Sequence, residues 1–210
     1  MIAKTPQPLR PRDGRNAREA ILVAATRLMG IHGYRNTSLD DVLRESGVGK
    51  GNFYYHFRSK EELGYAILDQ LIEAFLDRTL RPCFSDADVP PLGQIRCFLD
   101  RVRELQRERN CVGGCPLGNL AAELSDLHEG FRGLLNGVFS AWRQRLTEAL
   151  RDAQGRGDVH ADCRPEAVAH FLVASLEGAM LMTKLTKDIG VMEQCVHEMK
   201  RYLALYEIAQ

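Results

Sequence analysis

SLDDVLRESGVGKGNFYYHFRSKEEL, residues Ser38 to Leu63, decides how the rest of the chain is read. Ser38 with Asp41 three residues on is the start of a helix: hydroxyl and carboxylate can each take one of the backbone N–H groups that a first turn leaves unpaired. Gly47 stops that helix where a left-handed residue is required. Gly49-Lys50-Gly51 restarts the chain into a helix of one or two turns, predicted over Lys50–His56. Ser59 with Glu62 opens a third, longer helix. Two short helices joined by a glycine turn, the second carrying Lys50, Asn52, Tyr54, Tyr55 and His56, form a helix-turn-helix suited to the major groove of DNA.

The stretch from about Arg18 to Leu63 resembles the tetracycline-repressor (TetR/AcrR) family of bacterial regulators. The matching residues are Ala25, Leu28, Gly33, Thr37, Val42, Gly47, Val48, Lys50, Tyr54, Phe57, Ser59, Lys60 and Leu63. Gly49 departs from the pattern, since the family often has Ser or Thr there; glycine still caps a helix, but without a hydroxyl. The resemblance implies that Tyr54, His56 and Lys60 hold phosphates while Lys50, Asn52 and Tyr55 lie near base edges. Phosphate contacts set register; base contacts select sequence. Thr37 and Ser38, at a helix start that attracts anions, are further phosphate candidates. Arg44 is either another or a solvent-exposed arginine. Phe53 and Phe57 belong in the core of the head.

Charge supports this division. The chain of 210 residues is neutral overall, yet residues 1–60 carry a net +6 and residues 61–210 a net −6. A basic first part on an acidic remainder is the electrostatic footprint of a DNA-reading head. The expected organisation is all-α: residues 1–60 form an N-terminal arm and a three-helix helix-turn-helix head, and residues 61–210 a helical body for ligand binding and dimerisation. The opening MIAKTPQPLRPRDGR is basic and lacks the apolar core of a secretion signal; it reads as an arm that either touches DNA or is a plain tail. No apolar run is expected to reach the ~18 residues of a membrane span. A cytoplasmic location follows, with the six cysteines reduced.

Helical periodicity continues through the body. Leu63, Ile67, Leu71 and Phe75 mark a helix to about Arg81, which Pro82 should end. Later helices show Ile95, Phe98, Leu99 and Val102; then Phe131, Leu134, Leu135, Val138, Trp142, Leu146 and Leu150. The penultimate helix, from Pro165, has Val168, Leu172, Ser175, Ala179 and Thr183 on one face and the small residues Ala174 and Gly178 elsewhere; Ala179 is expected at a close contact between subunits. The last two helices are expected to pair across a two-fold axis as a four-helix bundle, as the family does.

Two sets of body residues are effector candidates. Cys115 precedes Pro116 at a helix start, where the dipole favours thiolate. Residues GGCPLGNLAAELSDLHEGFR resemble the subgroup of the family related to the N-ethylmaleimide-responsive repressor, which implies that Lys184 lies near the thiol. Cys115 is therefore an electrophile or redox sensor, or else a packing residue that starts a helix. Cys111, four residues earlier, either resolves an oxidised Cys115 or is only a loop thiol. Phe98, Leu120, Phe139, Trp142, Leu176, Met180 and Lys184 line an effector cavity or form plain core, and Glu177 and Lys184 either meet a polar ligand or face solvent. Catalytic, metal and cofactor motifs are not found, so an enzyme is not expected. The reading is a dimeric repressor of a palindromic double-stranded operator, released by a small molecule or electrophile. The alternative is a regulator whose body serves only protein partners.

Overall fold

A computed structural model describes residues 14–208, with the side chains of residues 16–208; the N-terminal arm, and the expectation that it touches DNA, lie outside them. The chain divides into two compact units, Met1–Leu71 and Ile72–Gln210.

In the first unit, α1 (Gly14–His32) packs against α2 (Leu39–Ser46) and α3 (Lys50–His56), and α4 begins at Lys60. The inner stripe of α1 is the one the periodicity assigns: Ile21, Leu22, Ala25, Leu28 and Met29 are all buried. Val42, Val48, Phe53, Phe57, Leu63 and Ile67 are buried too. A short helix such as α3 has too few hydrogen bonds to hold itself, so burial of Phe53 and Phe57 is what fixes it. Each contributes about 1.5–3 kcal/mol.

The second unit holds the remainder. α4 runs to Phe75 and passes into a π-helical turn, Leu76–Leu80, and then α5 (Arg81–Phe84). Pro82 therefore does not end the helical path. Arg81 N–H bonds to the Leu76 carbonyl across the wide π turn, and Pro82 falls in the first turn of α5, where a missing N–H costs nothing. α6 (Pro91–Glu108), α7 (Pro116–Leu124), α8 (Glu129–Gly155), α9 (Pro165–Thr186) and α10 (Ile189–Ala204) complete the body. α8 packs on α6, α7 and α9, and α10 on α6 and α9. Phe98, Leu99, Trp142, Leu146, Leu172, Leu176, Met192 and Val196 centre the core. Leu134, assigned inward by periodicity, is exposed. Among the described residues the β-structure is a lone antiparallel bridge, Val159 to Glu207.

Two expectations change here. The α9 helix is 22 residues long with mean hydropathy 1.3, so by length and composition it could cross a membrane; its Val168, Leu172, Leu176, Ala179 and Thr183 are buried in the body core instead. And Cys83 and Cys97 are bonded to one another, with Cα atoms 5.6 Å apart, joining α5 to α6; they are not two reduced thiols.

Candidate functional site

The head is built from caps. Ser38 Oγ accepts from Asp41 N–H at 3.1 Å, and Asp41 Oδ2 accepts from Ser38 N–H at 3.1 Å, closing the reciprocal box the sequence predicts. The Ser38 hydroxyl and backbone bonds, then Arg44, hold the Asp41 carboxyl below the usual carboxylate range. Gly47, at φ 67°, ends α2 in the left-handed region. Gly49 caps α3 with no side-chain bond, as its missing hydroxyl dictates. At α4, Ser59 Oγ accepts from Glu62 N–H at 3.1 Å, while Glu62 Oε2 reaches one residue further back than a strict box, to Arg58 N–H at 2.7 Å.

These caps present one face of α3. Lys50, Asn52, Tyr54 and Tyr55 are exposed, Tyr55 by 82%, while Phe53 between them is fully buried. Tyr55 meets the His56 ring edge-on, with centres 4.9 Å apart, and otherwise projects into solvent, so its hydroxyl and most of its ring are available to a partner. Arg44 and Ser38 are exposed alongside; Arg44 is ion-paired to Asp41. Lys60 is half-buried, its Nζ 3.3 Å from the Arg35 carbonyl and 4.6 Å from the centre of the Tyr34 ring, which holds the ammonium at a defined place. His56 is half-buried, and its Nε2 is buried without a partner, so at most its other nitrogen faces outward. Thr37 leaves the DNA set. It is 1% exposed, and its hydroxyl donates to the Gly33 carbonyl at 2.8 Å.

In the body, the proposed effector lining is packed core. Phe98, Leu176 and Met180 are buried, and Trp142 stands among Phe75, Phe98 and Phe139 with ring centres 5.2, 5.4 and 5.8 Å away. Leu120 is buried too and Phe139 is half-buried. The Trp142 indole N–H, however, has no acceptor, and neither Gln106 Oε1 nor Thr183 Oγ1 has a partner, although all three are buried. Native cores rarely leave such groups unpaired. A cavity of about 220 Å³ lies elsewhere, lined by Phe84, Pro91, Gln94, Arg145 and Arg156 among others. Arg145 spans its wall, donating to the Phe84 carbonyl at 2.7 Å.

Cys115 is the N-cap of α7, accepting from Gly118 N–H at 3.3 Å. The surroundings of the sulfur oppose the thiolate that the helix start favours: burial, and then the Glu177 carboxylate, push the thiol well up, and the cap bond only partly offsets them. Glu177 is itself raised, chiefly by burial. Lys184 packs on the loop that carries Cys115. Gly114, at φ +65°, lets its chain pass at 3.3 Å from where a Cβ would be, and Nζ donates to Asn119 Oδ1 at 3.3 Å. Asn119 in turn donates to the Gly113 carbonyl at 2.7 Å. The sequence reading missed Asn119 and Gly118. A glycine two residues past a proline in a first turn, where it weakens the helix, is the signal that a close approach occurs there.

The outer face of α9 is apolar and uncovered. Phe171, Leu181, Met182 and Leu185 are exposed by 46%, 60%, 47% and 73%, with Ala174 and Gly178 exposed between them. Ala179, expected at the subunit contact, is instead buried inside the protomer at 3%.

Comparison with known proteins matches residues 21–67 to the family described as bacterial regulatory proteins, tetR family, and residues 91–199 to the tetracyclin repressor-like C-terminal domain. A helix-turn-helix-type transcriptional regulator from the lacX 3' region of Lactococcus lactis is 35% identical over 85% of this chain and 89% of its own. The transcriptional regulator AcuR of Cereibacter sphaeroides is 32% identical over 88% and 85%. The crystal structure of the reduced form of NemR from E. coli, a protein named as a helix-turn-helix-type transcriptional repressor, superposes with a TM-score of 0.77 at 25% identity, covering 89% of this chain and 96% of that one.

Proposed function

This chain belongs to the tetR family of bacterial regulatory proteins, and from that membership we propose that it is a cytoplasmic, dimeric repressor of a palindromic operator, released when a small molecule or electrophile reaches the body. The observation that carries the DNA reading is the α3 face, where Lys50, Asn52, Tyr54 and Tyr55 project from a helix pinned by buried Phe53 and Phe57. In this reading Asn52, Lys50 and Tyr55 meet base edges. Tyr54, Lys60, Ser38 and Arg44 meet phosphates, with Arg44 exchanging Asp41 for the backbone.

The uncovered α9 face supports a dimer. Two copies joined there would present two α3 helices to half-sites about one helical turn, or a multiple, apart. NemR is named as a repressor, which favours repression here. Release is supported by the unpaired buried polar groups of Trp142, Gln106 and Thr183: a ligand with matching donors and acceptors gains what the closed core forfeits. Selecting bound sequences from random duplex DNA with the purified chain tests the operator. Enrichment of an inverted repeat is expected, and enrichment of a single unpaired half-site refutes the dimeric reading.

A further inference from the structure

We propose that Glu177 is the proton acceptor that allows the Cys115 thiol to add to an electron-poor carbon–carbon double bond. The proposal rests on the electrophile form of the effector reading above. Glu177 comes from the middle of α9 and reaches the first turn of α7 through a slot that exists only because residue 118 has no side chain. A Cβ on Gly118 would collide with Glu177 Oε2, would stand 3.2 Å from the carboxyl carbon, and would lie 3.4 Å from Cβ of Cys115. The carboxyl and the cysteine therefore flank one Cα. Each group bears on the other's proton: the Glu177 carboxylate raises the thiol, and the thiol lowers the Glu177 carboxyl. Glu177 Oε1 is buried and has no partner. A carboxylate serving only as a helix cap would be expected to place its oxygens on donors; Oε1 of this one is on none.

The chemistry needs such a group. A thiol that keeps its proton at neutral pH is a weak nucleophile. It becomes a strong one if a base within hydrogen-bond reach takes the proton as sulfur attacks. Here a sulfur lone pair forms the S–C bond to the β-carbon of an α,β-unsaturated carbonyl compound. The π electrons move toward the carbonyl, and the proton passes from Sγ to Glu177. Glu177 then returns that proton to the α-carbon. The product is a thioether, nothing is oxidised or reduced, and the carboxylate is regenerated. Burial raises the Glu177 carboxyl above its ordinary value, which makes it a better base than an exposed glutamate. Two cationic groups lie near the pair. Arg109, past the end of α6, interacts with the Cys115 charge, and Lys184 is held by Asn119 one residue from Gly118. Both favour negative charge developing on sulfur.

The test is the rate at which N-ethylmaleimide labels Cys115 in the full-length chain between pH 5.5 and 8.5, read by mass spectrometry, with Cys115→Ser marking the site. Wild type should label with a shallow pH dependence. Glu177→Gln keeps the volume and loses the base. It should label about 100-fold more slowly at pH 7, with a rate that now rises about tenfold per pH unit, as expected when only thiolate reacts. Gly118→Ala should reproduce this by displacing the carboxyl, and it carries the test if Glu177→Gln melts early. Labelling of either variant at the wild-type rate and with the wild-type profile overturns the proposal. Operator binding by the labelled wild type separates the two claims. A labelled protein that stays on DNA refutes the electrophile-effector reading, while the Glu177 dependence of the rate still stands. A Cys115 that does not label refutes both.

Discussion

Replacing Gly178 with arginine separates the fold of one protomer from the assembly of two. Gly178 is exposed on α9, and a Cβ there would meet nothing within 4 Å. Within the protomer the change is favourable, because arginine exceeds glycine in helix propensity by roughly 0.8 kcal/mol. At a two-fold contact through the outer face of α9 the same side chain is an unpaired charge in a closed interface, at about 3 kcal/mol or more. Symmetry doubles it to about 6 kcal/mol, or roughly 10⁴-fold in dissociation constant. A nanomolar dimer would then separate at about ten micromolar. Leu181 and Leu185, 60% and 73% exposed, should each contribute about 1–2 kcal/mol per protomer on burial, so serine at both, counted over the two protomers, weakens the dimer by about 4–8 kcal/mol, a comparable loss. Sedimentation across the micromolar range reads the assembly, and thermal melting reads the protomer. The expected result is a monomer that melts no lower than a wild-type protomer and binds the operator poorly. An intact dimer at micromolar concentration refutes the α9 interface. Ala179→Arg is no substitute: at 3% exposure it would disrupt the protomer core and report unfolding as dissociation.

Three further outcomes are expected. Tyr54→Ala should weaken binding to all DNA sequences alike, whereas Asn52→Ala should relax sequence preference, both measured on an operator and a scrambled duplex; an Asn52 variant that keeps full discrimination overturns its base-reading role. Glu177 has its folded pKa raised by burial, so the unfolded chain ionises first as pH climbs past 4.5, and that ionisation favours unfolding. Wild type should therefore lose stability relative to Glu177→Gln between pH 4 and pH 7, and a melting-temperature difference that is constant across this range refutes the buried-acid assignment. The Cys83–Cys97 bond spans a sequence separation of 14; on the chain-entropy account, reducing it should destabilise the body by about 3 kcal/mol. Melting with and without reductant checks this, and Cys97→Ser should abolish the difference.

The head was legible in the sequence because its determinants are local. The Ser38–Asp41 box, the left-handed Gly47 and the alternation of buried Phe53 with exposed Tyr54 and Tyr55 all act within a few residues, and side-chain identity alone states them. Cys115 as the cap of α7 was legible for the same reason. Within the head, the tertiary structure decided what long-range contact decides: Lys60 rests against Tyr34 and Arg35, and Thr37 spends its hydroxyl on Gly33 inside the fold. In the body, periodicity found the helices but not which side of α9 faces in, because that helix is apolar around much of its circumference and only the packing of α8 and α10 selects Ala179 over Gly178 for burial. The state of the Cys115 thiol lay furthest from the sequence. A helix start by itself favours the thiolate, but pKa is set by everything that surrounds the sulfur. Here that includes a carboxyl from another helix, admitted through the space left by Gly118, and burial that outweighs the helix N-terminus.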